Sequence, residues 1–571
     1  MKRAFLLVAL AASAAQSQAW VTERVSISYA GTEGNGASTY ASVSGDGRFV
    51  AFHSSAWNLV PDDTNGTTDV FVRNTVAGTT ERISVSSTGT QANGLCNYPA
   101  ISADGRYVAF RSSASNLVSG DTNGIRDIFV RDRLLGTTER VSLSSAGAQA
   151  NGDSDFPAIS SDGRYVAFES AATNLVTNDT NDRLDVFVHD RLTGATERVS
   201  LTSAGSQGNR GSMRASISAD GRFVAFHSYA TNLVPDDTNG AIDVFVRDRL
   251  NGTTERVSVS SGGVQGNGDS MNAAISADGS TVAFQSDAWT LTNGDTNAVQ
   301  DVFVRDRLSG TTHLVSVSSL GAQGNGGSLG ASVSGDGRFV AFHSAASNLV
   351  PGDDNAHQDV FLYDRSNGTT QMLTTSPDGL PGNHDSKAPA LSGDGRSVVF
   401  ESLASNLVED DTNGQWDVFI TRADGAPEIT ISGTVRFMHL SGQAPIPPSV
   451  EIRVALDGGS PYYQLISLGP TGTFALTVPA GTQTCTLSVK HTHWLRRTVP
   501  VDTSIGNVQN VEMVLPNGDA NPDNGVDLLD LNRILNLFGR QDALADLDED
   551  GVVGISDLNI VLVGFGTHGD P

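Results

Sequence analysis

The sequence is poor in cysteine and in basic residues. Its 571 residues include only two cysteines, Cys96 and Cys485, which lie in different parts of the chain, so we expect no disulfide framework. Lysine and arginine total 36 against 63 aspartates and glutamates, which gives a formal charge of -27. Nucleic acids and anionic membrane surfaces repel such a chain, and we expect neither as a partner.

Long apolar runs are also scarce. The run from Ala4 to Ala15 follows a basic start and precedes Ser17-Gln18-Ala19, a small-x-small cleavage signal. This pattern is typical of a secretory signal peptide, which we place at residues 1–19. No other stretch reaches the roughly 18 apolar residues that a membrane helix needs. We therefore expect a secreted protein, extracellular or attached to a cell surface, without a membrane span.

A repeat of 58 residues organises most of the chain. The Asp46-Gly47 turn returns at this interval without any insertion, at Asp104, Asp162, Asp220, Asp278, Asp336 and Asp394. Asp-Gly between the apolar runs Ala41 to Val43 and Phe49 to Phe52 is a strong hairpin signal. The strand-like runs Asp69 to Arg73 and Thr80 to Val85 follow. Seven units of four strands predict a seven-bladed β-propeller over residues 20–427.

The units resemble the blades of TolB-type, WD-like propellers. The resemblance rests on S-x-D-G-R-x-V-A-F, followed by the D-V-F-V-R-D and T-E-R-V-S strands. It implies the fold and leaves the function open, because this family serves many tasks. The first T-E-R strand, Val21 to Ser28, precedes any complete unit. We predict that it closes the ring as the outer strand of the seventh blade, beside Asp417 to Thr421.

The long connections of a four-stranded meander share one end of the sheet, so we expect a long-loop face that carries binding residues. On this face a D-x-N-G-x-x-D pattern recurs, whose oxygens suit either a partial calcium shell or simple turn caps. The candidate calcium ligands are Asp63, Asn65, Asp69, Asp121, Asn123, Asp127, Asp179, Asn181, Asp185, Asp237, Asn239 and Asp243, with Asp411, Asn413 and Asp417 in the last unit.

One position at the end of the second strand is polar but variable. Its occupants are His53, Arg111, Glu169, His227, Gln285, His343 and Glu401. Some propeller lyases bind a metal through histidine and glutamine, which invites comparison. The three histidines fall in separate blades, so we interpret the position as a polar contact between blades and assign no catalytic residue.

After the repeat, the composition changes to short apolar strands separated by proline and glycine. Residues 428–516 predict one β-sandwich. The segments G-T-F-A-L-T-V-P-A-G-T and H-W-L-R-R-T resemble prealbumin-like, carboxypeptidase-regulatory spacer domains. The resemblance implies a spacer.

Residues 517–571 contain two loops with the oxygen spacing of an EF-hand calcium site. The predicted Ca²⁺ ligands are Asp519, Asn521, Asp523, Gly525, Asp527 and Asp530 in the first loop, and Asp546, Asp548, Asp550, Val552 and Asp557 in the second. Each loop leads into an apolar helix, Leu528 to Phe538 and Leu558 to Phe565. Tandem units of this kind resemble a dockerin, which implies a cohesin-like partner. The two residues directly before the last ligand differ between the loops, Leu528-Leu529 in the first and Ile555-Ser556 in the second, which leaves that partner open.

The fold class is thus mainly β, with a small α-helical module at the end. The predicted function is binding: the propeller recognises a protein or a glycan, and the calcium-loaded module docks the protein to a surface or an extracellular complex. The alternative is a polysaccharide-active enzyme, a lyase or a glycoside hydrolase, carried on the propeller. The equal length of all units favours binding, because one reacting centre needs unlike groups around it.

Overall fold

The computed structural model describes nearly all of the repeat and parts of the chain that follows it. It covers residues 20–423, 428–437, 449–456, 462–469, 471–479, 484–491, 494–502, 508–515, 526, 528–538, 547, 553 and 555–564. The predicted signal peptide lies outside the described residues. None of the described helices is long and apolar enough to cross a membrane.

Seven four-stranded antiparallel sheets make up residues 20–423, one for each unit of the repeat. The chain enters with β1 (Trp20–Arg24). Blade one contains β2 (Ser38–Val43), β3 (Phe49–Ser54), β4 (Asp69–Asn74) and β5 (Thr79–Arg82). Blade two contains β6 (Cys96–Ile101), β7 (Tyr107–Ser112), β8 (Asp127–Asp132) and β9 (Thr137–Arg140). Blade three contains β10 (Ser154–Ile159), β11 (Tyr165–Ser170), β12 (Asp185–Asp190) and β13 (Ala195–Arg198).

The remaining blades repeat this order. Blade four contains β14 (Ser212–Ile217), β15 (Phe223–Ser228), β16 (Asp243–Asp248) and β17 (Thr253–Arg256). Blade five contains β18 (Ser270–Ile275), β19 (Thr281–Ser286), β20 (Asp301–Asp306) and β21 (Thr311–Leu314). Blade six contains β22 (Ser328–Val333), β23 (Phe339–Ser344), β24 (Asp359–Asp364) and β25 (Thr369–Met372). Blade seven contains β26 (Ser386–Leu391), β27 (Ser397–Ser402) and β28 (Asp417–Ala423), completed by β1.

The ring closes as predicted. β1 pairs antiparallel with β28, with Trp20 opposite Ala423 and Arg24 opposite Phe419. The first strands of successive blades contact one another around the axis, and β26 returns to β2. The seven sheets therefore form a closed propeller whose first strands line the central channel.

The Asp-Gly hairpin turns of the seven units lie at the end of the blades opposite the long loops. In blade one Gly47 has a φ of 76°, and the Asp46 carboxylate accepts the Arg48 N–H at 3.0 Å. Backbone hydrogen bonds link each turn to the next blade, from Gly45 N–H to Ala103 O (2.9 Å) through to Asp394 N–H to Gly45 O (3.0 Å). The turns thus form a continuous ring of bonds around the axis.

Pairs of stacked phenylalanines form the core of the blades. Phe52 and Phe71, both fully buried, stack with centroids 5.9 Å apart, and every blade repeats this pair. Their strands bury both faces, as expected for sheets packed between neighbours. The fourth strand is shorter than the predicted Thr80 to Val85. It ends at Arg82 because Ser84 turns inward to donate its hydroxyl proton to Asp69.

The described residues between 428 and 515 form two further sheets. Their strands are β29 (Glu428–Phe437), β30 (Ser449–Leu456), β31 (Tyr462–Ser467), β32 (Thr473–Pro479), β33 (Thr484–His491), β34 (Trp494–Asp502) and β35 (Val508–Leu515). One sheet has the order β32-β29-β35, with β29 and β35 parallel, and the other has the order β31-β30-β33-β34. Both contribute to one apolar core that includes Ile431, Ile452 and Leu487.

Two short helices follow, α1 (Leu528–Leu537) and α2 (Ile555–Gly564). The first matches the predicted helix, and the second begins three residues before the predicted Leu558. Ile534 and Ile560 belong to an apolar cluster that also contains Val526 and Val553, which occupy the eighth position of the two predicted calcium loops.

Candidate binding site on the long-loop face

The long loops meet on one face of the propeller and bond to one another. The Gln91 amide donates to Thr64 Oγ1 (2.9 Å) in the same unit, and Asn65 Nδ2 donates to the carbonyl of Ala92 (3.1 Å). Asn116 in the next unit donates to the Gln91 carbonyl at 2.8 Å. Each connection is therefore tied to the loops on both sides, which makes the face a continuous surface.

The D-x-N-G-x-x-D residues come together in every blade for which we predicted calcium, and an arginine accompanies them. In blade one Arg82 Nη1 lies 3.2 Å from Asp63 Oδ1 and 3.6 Å from Asp69 Oδ2. Asn65 donates to the same Asp69 oxygen at 2.7 Å. The other pairings are Arg140 with Asp121 and Asp127, Arg198 with Asp179 and Asp185, Arg256 with Asp237 and Asp243, and Arg24 with Asp411 and Asp417.

An arginine side chain thus provides the positive charge at each of these five loops. Burial raises the pKa of the Asp69 carboxyl, and the Ser84 hydroxyl, Asn65 and Arg82 act in the opposite direction. This geometry gives the recurrent acids a structural role. Calcium in these blades stays a prediction.

Blades five and six lack this arginine. Leu314 takes its place in blade five, where Gln323 Nε2 donates to Asp295 Oδ1 at 2.7 Å. In blade six the arginine position is Met372 and the glutamine position is Pro381. The Asp359 pKa is raised to about 6 by burial, with Asp353 adding to the rise.

The variable polar residue at the end of each second strand contacts the neighbouring blade, as predicted from the sequence. Glu169 accepts the backbone N–H of Arg214 at 2.7 Å, and Glu401 accepts that of Tyr40 at 2.8 Å. Each accepting residue faces a bulge in the next blade's first strand, where one residue has a positive φ, such as 49° at Tyr40. Burial lowers the pKa of His53 to about 4, and Arg111 adds to this effect. His53 is therefore a neutral structural group at neutral pH.

The bulge residues differ between the two sides of the channel. Blades one to three present Tyr40, Tyr98 and Phe156, whereas blades five to seven present Asn272, Gly330 and Ala388. Tyr98 contacts Tyr40 edge to face at 4.8 Å between centroids and Phe156 at 4.3 Å.

Two arginines complete this group. Arg111 lies over the Tyr98 ring at 4.9 Å, and Arg214 lies over the Phe156 ring at 3.4 Å. Tyr40 is 43% exposed, so the group is open to solvent. We call Tyr40, Tyr98, Phe156, Arg111 and Arg214 the aromatic wall. Arg111 is in β7, the second strand of blade two, and the other four residues are in the half of the first strands nearer the long-loop face.

Sequence reasoning missed the aromatic wall. The positions belong to the most regular part of the repeat, yet their side chains vary from unit to unit. A comparison of the units position by position finds the difference, and only the structure shows that the three rings touch.

Sequence reasoning also missed a group at the junction of blades six and seven. Ligand atoms of His357, His384 and Asp385 all lie within 4.8 Å of one another. The signal was present in the sequence, because both histidines depart from what the other units carry at those positions.

The two calcium loops of the C-terminal module lie largely outside the described residues. Of the predicted ligands, Asp530 and Asp557 are described, and both are completely buried. The Asp557 carboxylate accepts the Leu547 N–H at 2.5 Å. Buried acids at the last position of each loop fit the predicted donor set.

A scan of protein-family models and a comparison with curated proteins found no match for this sequence. Solved structures with a similar fold include TolB from Acinetobacter baumannii, with 14% identity over 66% of this chain and 81% of that one and a TM-score of 0.32.

Two oligogalacturonate lyases are also similar. The lyase in complex with manganese has 12% identity over 71% of this chain and 96% of that one, with a TM-score of 0.43. The lyase from Vibrio parahaemolyticus has 14% identity over 72% and 98%, with a TM-score of 0.43. Likeness at this level concerns the propeller fold and says nothing about ligands or catalysis.

Proposed function

We propose that this protein is a secreted binding protein whose propeller holds a glycan at the aromatic wall. The supporting observation is the asymmetry of the channel mouth: three contacting aromatic rings on one side, and small or polar residues on the other. The strand pairing and the backbone hydrogen bonds of the Asp-Gly turns, by contrast, repeat in every blade. A ligand site on a repeated scaffold has to come from such departures, because identical units offer identical contacts.

The chemistry of the wall suits a sugar ring. Aromatic faces pack against the apolar C–H face of a pyranose, while nearby polar groups bind its hydroxyls. Arg111 Nη1 lies 2.5 Å from Asp155 Oδ1, and Arg126 lies 3.3 Å from the same carboxylate. These charged groups stand beside the rings and offer both donors and acceptors.

The long-loop face adds exposed aromatic residues of its own. Trp57 and Trp289 are 67% and 60% exposed. Other units carry serine or threonine at the same place, so these indoles are not needed for the fold. A longer glycan could contact them outside the channel mouth. The C-terminal module, with its calcium loops, then docks the protein to a surface or an extracellular complex.

The test is a glycan array probed with the full chain and with two variants. Tyr98→Asn copies Asn272 of blade five, and asparagine tolerates the positive φ of this position. Tyr29→Ser is the control, because Tyr29 is 73% exposed elsewhere and the next unit has Ser87 there. We expect the first variant to lose binding and the second to keep it. Equal binding by both variants contradicts the site, and turnover of a bound polysaccharide contradicts a function of binding alone.

A further inference from the structure

We propose that His357, His384 and Asp385 form a site for a divalent transition metal such as Zn²⁺ at the junction of blades six and seven. His357 lies just before β24, and the other two residues lie just before β26. Their ligand atoms are within 4.8 Å of one another. None of the three residues belongs to the aromatic wall or to the predicted calcium ligands.

The distances suit a shared metal. His357 Nδ1 is 3.2 Å from Asp385 Oδ1, and the two imidazole rings stack with centroids 4.9 Å apart. Ligand atoms bound to tetrahedral zinc are roughly 3.3 to 3.6 Å apart, given bonds of about 2.0 to 2.2 Å. His384 Nδ1 accepts the Asp385 backbone N–H at 2.8 Å, and the His384 side chain is exposed, so its rotamer can adjust when an ion binds.

The carboxylate is already held in place. Asp385 Oδ1 accepts the backbone N–H of Gln358 at 3.0 Å. The same bond recurs between Arg126 N–H and Asp153 and between Ile242 N–H and Asp269, where no histidine is present. The fold therefore orients this acid independently of any metal, and a fixed first ligand lowers the cost of assembling the site.

The two histidines are peculiar to this junction. The positions equivalent to His357 hold Thr67, Ile125, Arg183, Ala241, Val299 and Gln415. The positions equivalent to His384 hold Gly36, Gly94, Gly152, Arg210, Gly268 and Gly326. The fold thus requires imidazole at neither position, yet both occur together where they contact.

The electrostatics of blade six also favour a cation. In five other blades an arginine lies between the two loop aspartates, and blade six has Met372 instead. Asp353 is 8% exposed and has no hydrogen-bond or ion-pair partner within residues 20–423. Neither Asp353 nor Asp359 has an arginine partner in the loop that carries His357, although Asp359 accepts hydrogen bonds from Asn355 and Thr374.

The donor set selects the class of metal. Two imidazoles with one carboxylate suit Zn²⁺ and related transition ions, whereas Ca²⁺ takes oxygen ligands. Three protein ligands leave a tetrahedral ion one position for water or an external group. The side chains of His357 and Asp385 are 33% and 40% exposed, so an ion can enter from solvent.

The test is calorimetric titration of the full chain with Zn²⁺, in calcium-containing buffer that fills the C-terminal loops. His357→Thr and His384→Gly restore residues found in other units, so neither should alter the melting temperature without metal. We expect one zinc equivalent per chain in the wild type, weakened about tenfold or more in each variant. Co²⁺ should give the visible absorption of a tetrahedral complex in the wild type only.

The matched control is His313→Glu. His313 is an exposed residue in blade five, and the equivalent residue of blade four is Glu255. We expect this variant to bind zinc like the wild type. Unchanged zinc affinity in both site variants would overturn the proposal, because the metal would then be bound by other groups of this acidic chain.

Discussion

At the scale of single residues, the propeller depends on buried polar groups that each unit repeats with small changes. His227 is buried and His53 and His343 are half-buried, and the pKa values of all three are lowered to about 4, first by burial and then by nearby Arg111, Arg214 and Lys387. The unfolded chain protonates these imidazoles near pH 6.5. Each histidine therefore lowers the free energy of unfolding as the pH falls from about 6.5 towards 4, because the unfolded chain then binds a proton that the folded chain does not.

We predict that replacing all three histidines by glutamine reduces this loss. Glutamine is the native residue of blade five, where Gln285 accepts the Gly330 N–H at 3.0 Å. Each histidine should cost on the order of 1 to 2 kcal/mol of unfolding free energy at pH 5 relative to pH 7. Denaturant titration at both pH values measures the difference. Carboxyls with a raised pKa, such as Asp417 at about 6, increase the unfolding free energy as the pH falls, but they do so equally in the wild type and in the glutamine variant. Equal pH slopes would refute the assignment.

A second prediction at this scale concerns the arginine of the D-x-N-G-x-x-D loops. Arg140→Met in blade two copies Met372 of blade six and leaves Asp121 and Asp127 without their cation. We expect the unfolding free energy to fall by about 3 kcal/mol, because removing the arginine leaves a buried carboxylate charge without a partner to offset its loss of hydration.

The matched control is Leu314→Met, at the same position of blade five, where no arginine is present. This change keeps the apolar character and should alter stability by less than about 1.5 kcal/mol. Denaturant titration compares the two variants. Similar stability losses would mean that packing, not charge, determines the effect. Recovery of Arg140→Met by added calcium would indicate that the vacated loop accepts an ion.

At the scale of elements, β1 is the strand on which closure depends. It covers the edge of β28. Arg24 at its end and Ser26 just after it interact with two aspartates of blade seven. Ser26 donates to Asp417 at 2.5 Å, and Arg24 lies 3.5 Å from Asp411. A single N-terminal segment thus completes both the sheet and the loop network of the last blade.

We predict different outcomes for two N-terminal truncations. A chain beginning at residue 20 should melt like the full chain, because β1 is retained. A chain beginning at residue 29 should lose about 5 kcal/mol or more of unfolding free energy, since it exposes a sheet edge and unpairs buried Asp417. Thermal and denaturant unfolding measure both. Equal stability of the two truncations would show that the ring does not need its closing strand.

At the scale of the whole molecule, the parts differ in what holds them together. The propeller and the two sheets of residues 428–515 have extended apolar cores. The described residues of the C-terminal module include two ten-residue helices and an apolar cluster. Residues 517–571 are few, and so short a segment buries little apolar surface, so a bound ion is expected to contribute much of the stability of the module.

We predict that calcium chelation unfolds this module while the propeller persists. Residues 515–571 as a separate fragment should lose their helical circular dichroism in excess chelator and regain it with Ca²⁺. In the full chain, chelation should allow proteolysis near the C-terminus only. Asp530→Asn together with Asp557→Asn should imitate chelation, and Asp542→Asn, outside both loops, should not. Helicity that is indifferent to calcium would refute the predicted loops.

Much of the fold follows from short stretches of sequence. The Asp46-Gly47 turn and the apolar run after it predict β2 and β3, because turn chemistry and side-chain alternation act locally. The fixed interval of 58 residues predicts the number of blades, and the unmatched first T-E-R strand predicts how the ring closes. The end of the fourth strand was not predictable, because it depends on a hydrogen bond between Ser84 and Asp69 across the sheet.

The candidate sites depended on contacts between units. The sequence alone determined the repeat, the blade count and the positions at which individual units differ. Only the tertiary structure decided that Tyr40, Tyr98 and Phe156 form one wall and that His357 meets His384 across a blade junction. The reason is physical: these residues are far apart in the sequence and become neighbours only when successive blades pack together, and no local pattern reports that distance.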